Sequence, residues 1–372
     1  MMNLSRVTQI VLALVSVFTP VASALPAQAA PSGGNGTIYM GSYAKSIYVI
    51  DEATMQVTDR IAVQNDIPIS LLLSDNRERF YVRDATFEHI EIVDIAKRRS
   101  VDTFSLSSGN TKVRIWGLSV DPRDRYAILL INKYTKLTDR FEIGPPTLLR
   151  FDLTTKQVTD TIPWPDGQER DRARIMFSPD GTLAYFFADD ILVLETEHFT
   201  QVDKWELSQP LEDGMGRFSF GFPTTLYEEP GFYTGLFRIT DPVQNRRMMG
   251  VARVDLGKKD VDFYVLGPSE SVGFAVTPDR KRAYGLHQEV GNYQFWEFDL
   301  EGRRVERKVQ FDGRPRMGLI PSSNGRLLYI YNAGNTIDIY DAATFQHLRQ
   351  VELDADMTAF VLLPARGSAG GP

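Results

Sequence analysis

Short stretches of alternating apolar and polar residues follow one another along this chain, and one pattern of them recurs. Tyr48, Val49 and Ile50 lead to Asp51, a short polar turn follows, and a second alternating stretch begins near Val57. The pattern is repeated to give seven copies in all. Its closing acids are Asp51, Asp94, Asp152, Glu195, Asp255, Asp299 and Asp341. Period-two alternation interrupted by polar turns predicts antiparallel β-hairpins.

The spacing of these acids predicts the architecture. Successive acids are 43, 58, 43, 60, 44 and 42 residues apart. Four of these intervals match the period of roughly 40–45 residues of a four-stranded propeller blade, and the other two match it with an insertion of about 15 residues. The sequence therefore predicts an all-β fold, a seven-bladed β-propeller of four-stranded antiparallel blades over residues 30–364.

Each blade after the first is predicted to begin with an apolar inner strand that leads into a turn, as residues 175–177 lead into Ser178, Pro179, Asp180 and Gly181. Proline presets φ, aspartate caps the turn and glycine accepts a positive φ, so these residues predict tight hairpin turns. Residues 357–363 resemble an inner strand with nothing after it, while the chain begins with strands that lack an inner partner. We therefore predict that this last strand pairs with the N-terminal strands and closes the ring.

The two ends of the chain are predicted to lie outside the propeller. Residues 1–29 combine Arg6, an apolar stretch at 10–17 and small residues around Gln28, a pattern typical of a secretory signal peptide. The small residues around Ser23 offer a second cleavage site, and an uncleaved anchor is the alternative. We expect an exported, periplasmic protein with no membrane span after cleavage. Residues 365–372 are predicted to be a disordered tail.

Composition excludes several classes of function. The formal charge is −7 at pH 7 and basic runs are absent, which argues against nucleic-acid binding. The chain has no cysteine, so thiolate metal sites and covalently attached haem are excluded within it. The four histidines form no HxH or HxxxH pair, and the recurring strand-end acids are interpreted as structural turn caps. We predict no catalytic residue, metal site or cofactor in this chain.

Two insertions interrupt the repeat and are candidate binding surfaces. Residues 133–146 extend the third blade between its second and third strands, and residues 214–247 enlarge the fifth. Insertions in repeat proteins often carry the binding face. The candidate partner-binding residues are Tyr134, Phe141, Tyr227, Phe232 and Tyr233. The alternative is that the aromatic residues of the second insertion belong to the fifth blade's own strands.

A group of arginines is the second candidate site. Arg114, Arg172 and Arg316 occupy equivalent positions ahead of turns in three blades, with Arg174 and Arg314 two residues away. Equivalent positions meet around a ring, so these residues are predicted to form a basic mouth of the central channel that attracts an anionic ligand or an acidic partner. The alternative is pairing with nearby acids. The acids considered are Asp66, Asp171, Glu270 and Asp312.

Several segments resemble a known family. Residues 118–152, with the extension Lys136-Leu137-Thr138-Asp139-Arg140-Phe141-Glu142, residues 274–299, residues 337–351 and residues 50–57 are similar to the propeller subunits of amine dehydrogenases. Within that family the β subunit of quinohemoprotein amine dehydrogenase is the most similar, and the wider group is the YVTN-type, WD40-like propellers of 40-residue repeats. The resemblance spans most of the chain after the signal peptide.

The resemblance implies a propeller chain that carries no cofactor of its own. It implies two partners, a small quinone-bearing subunit and a dihaem cytochrome c subunit, which hold the quinone and the haem c and together oxidise primary amines. We therefore expect a non-catalytic scaffold in a periplasmic redox complex. The alternatives are a free-standing propeller that binds an anionic ligand or a protein partner, and a propeller lactonase, for which the sequence offers no cluster of acids and histidines.

Overall fold

The chain folds into antiparallel sheets in a computed structural model that describes residues 32–207, 218–220, 230–241, 243–331 and 334–365. The described residues form strands and turns, without an α-helix, and none of their segments is a helix long and apolar enough to cross a membrane. The predicted signal peptide and all but residue 365 of the predicted tail lie outside the described residues.

The described strands form seven sheets, numbered here by the position of their second strand along the chain. Sheet 1 is β29-β1-β2-β3, and sheets 2, 4, 5, 6 and 7 each contain four consecutive strands. The strands of sheets 1 to 3 are β1 (Thr37–Ser42), β2 (Ser46–Asp51), β3 (Gln56–Ala62), β29 (Met357–Leu363), β4 (Pro68–Leu73), β5 (Arg79–Asp84), β6 (His89–Asp94), β7 (Arg99–Ser105), β8 (Thr111–Val120), β9 (Tyr126–Lys136), β10 (Phe141–Ile143), β11 (Thr147–Asp152) and β12 (Gln157–Ile162).

In sheets 4 to 7 the strands follow one another in chain order, and we call them the inner, second, third and outer strand of each sheet. Their strands are β13 (Arg174–Phe177), β14 (Leu183–Phe187), β15 (Ile191–Glu195), β16 (Gln201–Trp205), β17 (Phe218–Phe220), β18 (Phe232–Asp241), β19 (Arg246–Asp255), β20 (Asp260–Pro268), β21 (Ala275–Val276), β22 (Arg282–Glu289), β23 (Asn292–Asp299), β24 (Arg304–Phe311), β25 (Gly318–Pro321), β26 (Leu327–Tyr331), β27 (Thr336–Asp341) and β28 (His347–Glu352). In each of the seven sheets the third strand ends at one of the predicted acids.

The hairpin after each third strand is fixed by its acid, which confirms the structural interpretation of these residues. In all seven sheets the carboxylate accepts a hydrogen bond from a backbone N–H of the turn, as Asp341 does from Thr344 at 2.8 Å. The fourth residue after each acid has a φ between 51° and 60°, a left-handed conformation that the capped turn holds in place. These residues are Met55, Arg98, Lys156, Phe199, Lys259, Arg303 and Phe345.

The turn between the first and second strands also depends on local side chains, as predicted. In sheet 4 the Ser178 hydroxyl lies 2.5 Å from Asp180 Oδ1 and accepts a hydrogen bond from the Leu183 N–H at 3.0 Å. Gly181 supplies the positive φ of 69° that the fourth turn position requires. Ser74, Thr277 and Ser322 use their hydroxyls in the same way in sheets 2, 6 and 7.

The hydrophobic core lies between the sheets and is divided into seven clusters. Each cluster joins two sheets that are consecutive along the chain, from sheets 1 and 2 through to sheets 6 and 7. The seventh cluster joins sheet 7 to sheet 1, where Tyr329 and Ile339 pack with Tyr48 and Ile50. Face-to-face burial of both surfaces of each sheet explains why the second and third strands are almost continuously apolar.

The last strand pairs with the first strand of the chain, as predicted. β29 pairs antiparallel with β1, with Phe360 opposite Met40, and supplies the inner strand of sheet 1.

A second contact joins sheet 1 to sheet 7 at Glu52, which is 1% exposed. Its carboxylate accepts hydrogen bonds from the N–H groups of Gly36 and Ser323, both at 2.7 Å, from the Tyr329 hydroxyl at 3.1 Å and from the Ser323 hydroxyl.

Candidate functional site

A cavity of about 410 Å³ lies against the inner strands of sheets 2, 3 and 4. Its strand residues are mostly apolar, such as Leu73 in β4 and Leu118 in β8, and Pro230 and Gly231 of sheet 5 also contribute. Charged residues line it beyond the strand ends, where Asp75 follows β4. Desolvation, together with the nearby acids of sheet 3, raises the pKa of Asp75. The volume is within the range of small-molecule sites.

Two of the five predicted channel-mouth arginines lie at the beginning of sheet 4. Arg174 is the first residue of β13 and lines the cavity, with its guanidinium carbon 5.1 Å from the centroid of the Tyr233 ring. A cation at this distance from an aromatic face is attracted by the ring. Arg172 precedes the strand and is exposed to solvent. Arg174 was predicted at a channel mouth, and in the structure it lines this cavity.

Arg114 and Tyr134, predicted as members of two different sites, contact each other. Arg114 lies on β8, opposite Asn132 of β9, and its guanidinium carbon is 5.1 Å from the centroid of the Tyr134 ring. Both residues belong to the part of sheet 3 that the insertion at 133–146 extends. Arg114 therefore belongs to the surface of this extension.

The two arginines before β25 have different environments. Arg314 donates to Asp338 Oδ2 at 2.5 Å and to the Thr336 carbonyl at 3.2 Å. Both acceptors lie on β27, the third strand of the same sheet, so Arg314 is held by a partner that the sequence did not indicate. Arg316 is exposed and has a φ of 64°. Pairing with nearby acids was the alternative for these arginines; Arg314 does pair with an acid, but Asp338 is not among the acids named for it.

Part of the predicted insertion in sheet 5 is regular strand. Tyr233 is fully buried and packs with Tyr185 and Phe237 between sheets 4 and 5, so it is a core residue and is not available to a partner, contrary to the prediction. Phe232 is half-buried under the Arg253 guanidinium, at 5.0 Å. The physical reason is that β18 continues through these positions as the second strand. Tyr227 lies outside the described residues.

The predicted insertion in sheet 3 lies between the second and third strands, as expected. β9 runs five residues beyond its pairing with β11, and β10 folds back on it through a two-residue turn. We call this hairpin, together with residues 111–114 of β8 that pair with it, the tongue. Phe141 is 64% exposed and Ile143 is 65% exposed, so the tongue presents large apolar side chains to solvent.

The carboxylates and histidines that could support chemistry have structural partners or lie apart. Buried Glu297 accepts hydrogen bonds from Arg282 at 2.9 Å and Arg307 at 2.7 Å. His89 Nδ1 lies 2.7 Å from Asp84 Oδ2, and buried His287 stacks near Trp296. Within the described ranges, no group of three or more histidine, aspartate or glutamate side chains could hold a metal ion, and the sequence contains no cysteine.

Inter-sheet hydrogen bonds from second-strand tyrosines were not anticipated from the sequence. Tyr81 donates to Asp124 of sheet 3 at 2.9 Å, Tyr185 donates to the Leu256 carbonyl of sheet 5 at 3.2 Å, and Tyr329 donates to Glu52 of sheet 1. Burial first, and then the adjacent carboxylate, strongly raises the pKa of Tyr81. A tyrosine seven residues after the turn's first serine was the available signal.

No protein-family model matches the chain, and no curated protein matches it in sequence. Among solved structures it is similar to dihydro-heme d1 dehydrogenase NirN in complex with DHE, with 11% identity over 92% of this chain and 78% of that chain and a TM-score of 0.53. A functionally unknown protein from Desulfotomaculum acetoxidans matches with 13% identity over 89% and 99% of the two chains and a TM-score of 0.52.

The β-propeller domain of Cps50 (Swd1) from Myceliophteria thermophila matches with 10% identity, 81% and 93% coverage and a TM-score of 0.49. At such identities the two similarities with TM-scores above 0.5 show the fold alone. The antiparallel four-stranded sheets, packed face to face in succession, are those of a β-propeller.

Proposed function

We propose that the seven sheets are the blades of one closed propeller. The contacts between the sheets form a cycle, which supports this proposal. Six apolar clusters each join two consecutive sheets, and the seventh joins sheet 7 to sheet 1. β29 adds to this by pairing with β1 of the first sheet. A closed ring leaves only short, protected strand edges, which is the usual solution to edge-to-edge aggregation in this architecture.

The function that we assign to this propeller is that of an exported, non-catalytic scaffold subunit in a periplasmic redox complex of the amine-dehydrogenase type. Its partners would be a small quinone-bearing subunit and a dihaem cytochrome c. The sequence resemblance to amine dehydrogenase propellers supports this role, and the structural similarity to the dihydro-heme d1 dehydrogenase NirN is consistent with a redox setting. The leading 29 residues support export.

One observation carries the binding role, and it is the tongue of sheet 3. The sheet's four blade strands are complete without it, yet the chain builds an additional hairpin whose Phe141 and Ile143 side chains are about two-thirds exposed. Large apolar side chains exposed next to each other on one face indicate an interaction surface. The strand-end acids, by contrast, are used by the turns that they cap.

Purification from the native periplasm tests this function. A tagged copy of the chain, isolated under mild conditions, should co-elute with a chain that has the absorbance of haem c and should reduce an artificial acceptor when a primary amine is added. Intact mass should show cleavage after residue 29 or near residue 24. A monomer without haem absorbance and without amine-dependent reduction would refute the assignment.

The alternative is a stand-alone propeller that binds an anionic ligand. The observation that favours it is Arg174, which lines the cavity of about 410 Å³ beside apolar strand residues. A basic group in a partly enclosed site attracts anions. Calorimetry with small carboxylates and inorganic phosphate distinguishes this function, because binding to the isolated chain should be lost in Arg174→Gln but retained in Arg172→Gln.

A further inference from the structure

The main-chain groups of β10 alternate in direction, and half of them face away from the sheet. The Leu137 N–H donates to the Arg140 carbonyl at 2.8 Å, and the Gly144 N–H donates to the Lys133 carbonyl at 2.9 Å. Hydrogen-bonded pairs alternate along an antiparallel ladder, so Glu142 bonds to β9 while the N–H and C=O groups of Phe141 and Ile143 point outward. Within the described part of the chain, β10 pairs only with β9.

The side chains next to this edge form one continuous face. Residues directly opposite each other in an antiparallel pair point to the same side of the sheet. Phe141 lies opposite Lys136, and Ile143 lies opposite Tyr134, which in turn lies opposite Lys112. Arg114 stacks on the Tyr134 ring and belongs to the same face. An apolar, unprotected edge is therefore bordered by an aromatic ring and three cationic side chains.

The charge of the tongue is opposite to that of the whole chain. The tongue, including its turn, contains five basic residues and two acidic ones, whereas the chain carries −7 overall. The basic residues are Lys112, Arg114, Lys133, Lys136 and Arg140, and the acids are Asp139 and Glu142. Lys112 pairs with Glu88 and Arg140 with Asp139. In the described part of the chain, neither Arg114 nor Lys136 lies in an ion pair.

We infer that the tongue binds an extended, acidic segment of a partner protein, which adds as a strand to the outer edge of β10. Strand addition satisfies the outward N–H and C=O groups of Phe141 and Ile143, and apolar residues of the segment cover their side chains. Carboxylates of the segment pair with Lys136 and Arg114. A second copy of this chain is disfavoured, because pairing two β10 edges would bring two basic tongues together.

This inference deepens the proposed function, since both require a protein partner. The probe is a fluorescein-labelled octapeptide with the repeat Val-Val-Glu-Glu, which presents valine and glutamate on both faces of a strand. Peptides with glutamine or lysine in place of glutamate are the controls. Fluorescence anisotropy should show that the chain binds the glutamate peptide at least about tenfold more tightly than either control.

Four variants locate the site. Ile143→Pro removes an outward N–H but no hydrogen bond to β9, and it should weaken peptide binding about tenfold, whereas Ile143→Val should change it less than about twofold. Lys136→Glu should weaken binding by a similar factor, whereas Lys133→Glu, on the other face of the tongue, should have little effect. Unchanged circular dichroism and melting temperature will show that each variant is folded.

Three outcomes would overturn the inference. These are equal binding of the glutamate and glutamine peptides, binding that Ile143→Pro and Lys136→Glu leave unchanged, and a dimer in sedimentation analysis that Ile143→Pro dissociates, which would make a second copy the occupant. The proposed function is tested separately, by purifying Ile143→Pro from the periplasm. Haem-containing partners that still co-elute with this variant would refute the tongue's role and leave the redox role standing. Peptide binding without any redox partner would do the reverse.

Discussion

Replacing Glu52 tests whether the contact between sheets 7 and 1 stabilises the whole fold. Its carboxylate is 1% exposed and accepts hydrogen bonds from two backbone N–H groups, those of Gly36 and Ser323, and from two hydroxyls. In Glu52→Ala the hydroxyls can rotate, but the two N–H groups stay in place. Each buried donor left without an acceptor costs about 1–3 kcal/mol. The two donors together would cost about 2–6 kcal/mol. Because water can enter the space left by the side chain, we expect Glu52→Ala to lower the free energy of unfolding by about 3 kcal/mol.

The assay is urea unfolding, followed by tryptophan fluorescence and far-ultraviolet circular dichroism. Glu301→Ala is the matched control, because that glutamate is exposed, pairs with Lys281 on the surface and should change stability by less than about 0.5 kcal/mol. Ser323→Ala removes one hydroxyl donor while retaining the N–H, so its effect should be smaller than that of Glu52→Ala. If Glu52→Ala and Glu301→Ala unfold at the same urea concentration, the contact does not hold the two sheets together.

Three further variants test the capping, the core and the inter-sheet hydrogen bonds. The turn N–H of Thr200 holds the pKa of Glu195 down to about 2, so the stabilisation by the ionised Glu195 is complete above about pH 4.5 and is lost as the pH falls toward 2. The difference in melting temperature between wild type and Glu195→Gln should therefore shrink over that range, and a constant difference would contradict this. Phe295→Ala removes a ring stacked at 4.1 Å on Phe311 and should cost about 3–5 kcal/mol in urea unfolding, against less than about 1.5 kcal/mol for Phe295→Leu. Tyr81→Phe loses the hydrogen bond to Asp124 and should cost about 1 kcal/mol, and no measurable change would refute that contribution.

The strands and turns could be predicted because their determinants are local. A short apolar run gives β2, and Asp51 caps its own hairpin through Thr54, three residues away. The error in sheet 5 also concerns a local pattern. Tyr233, Phe237 and Ile239 follow a period of two and indicate a strand, but the richness in aromatic residues was interpreted as an insertion. The pattern held the correct signal, and composition was given too much weight.

The partners of the predicted arginines could not be derived in the same way. Arg314 is held by Asp338, which is 24 residues away on the third strand, and no local pattern relates the two residues. Arg114 meets Tyr134 only because β9 continues past its pairing with β11. Equivalent positions in a repeat predict where along its strand a residue lies. The direction of a long side chain, in contrast, is decided by packing against residues that are distant in sequence.

Departures from the repeat are the signal that remains to be used. At the position after the strand-end acid, six sheets have an uncharged residue, whereas sheet 1 has Glu52. Those residues are Ile95, Leu153, Thr196, Leu256, Leu300 and Ala342. The second turn position is proline at 122, 179 and 278, which lacks an N–H, but in sheet 7 it is Ser323, whose N–H reaches Glu52. Glu52 is thus the charged exception at its position, and Ser323 supplies the N–H that proline lacks at the same turn position of three other sheets. The tongue departs from the repeat as well, and the Phe141 and Ile143 side chains of its β10 strand are about two-thirds exposed, which is why we assign this edge to an external partner.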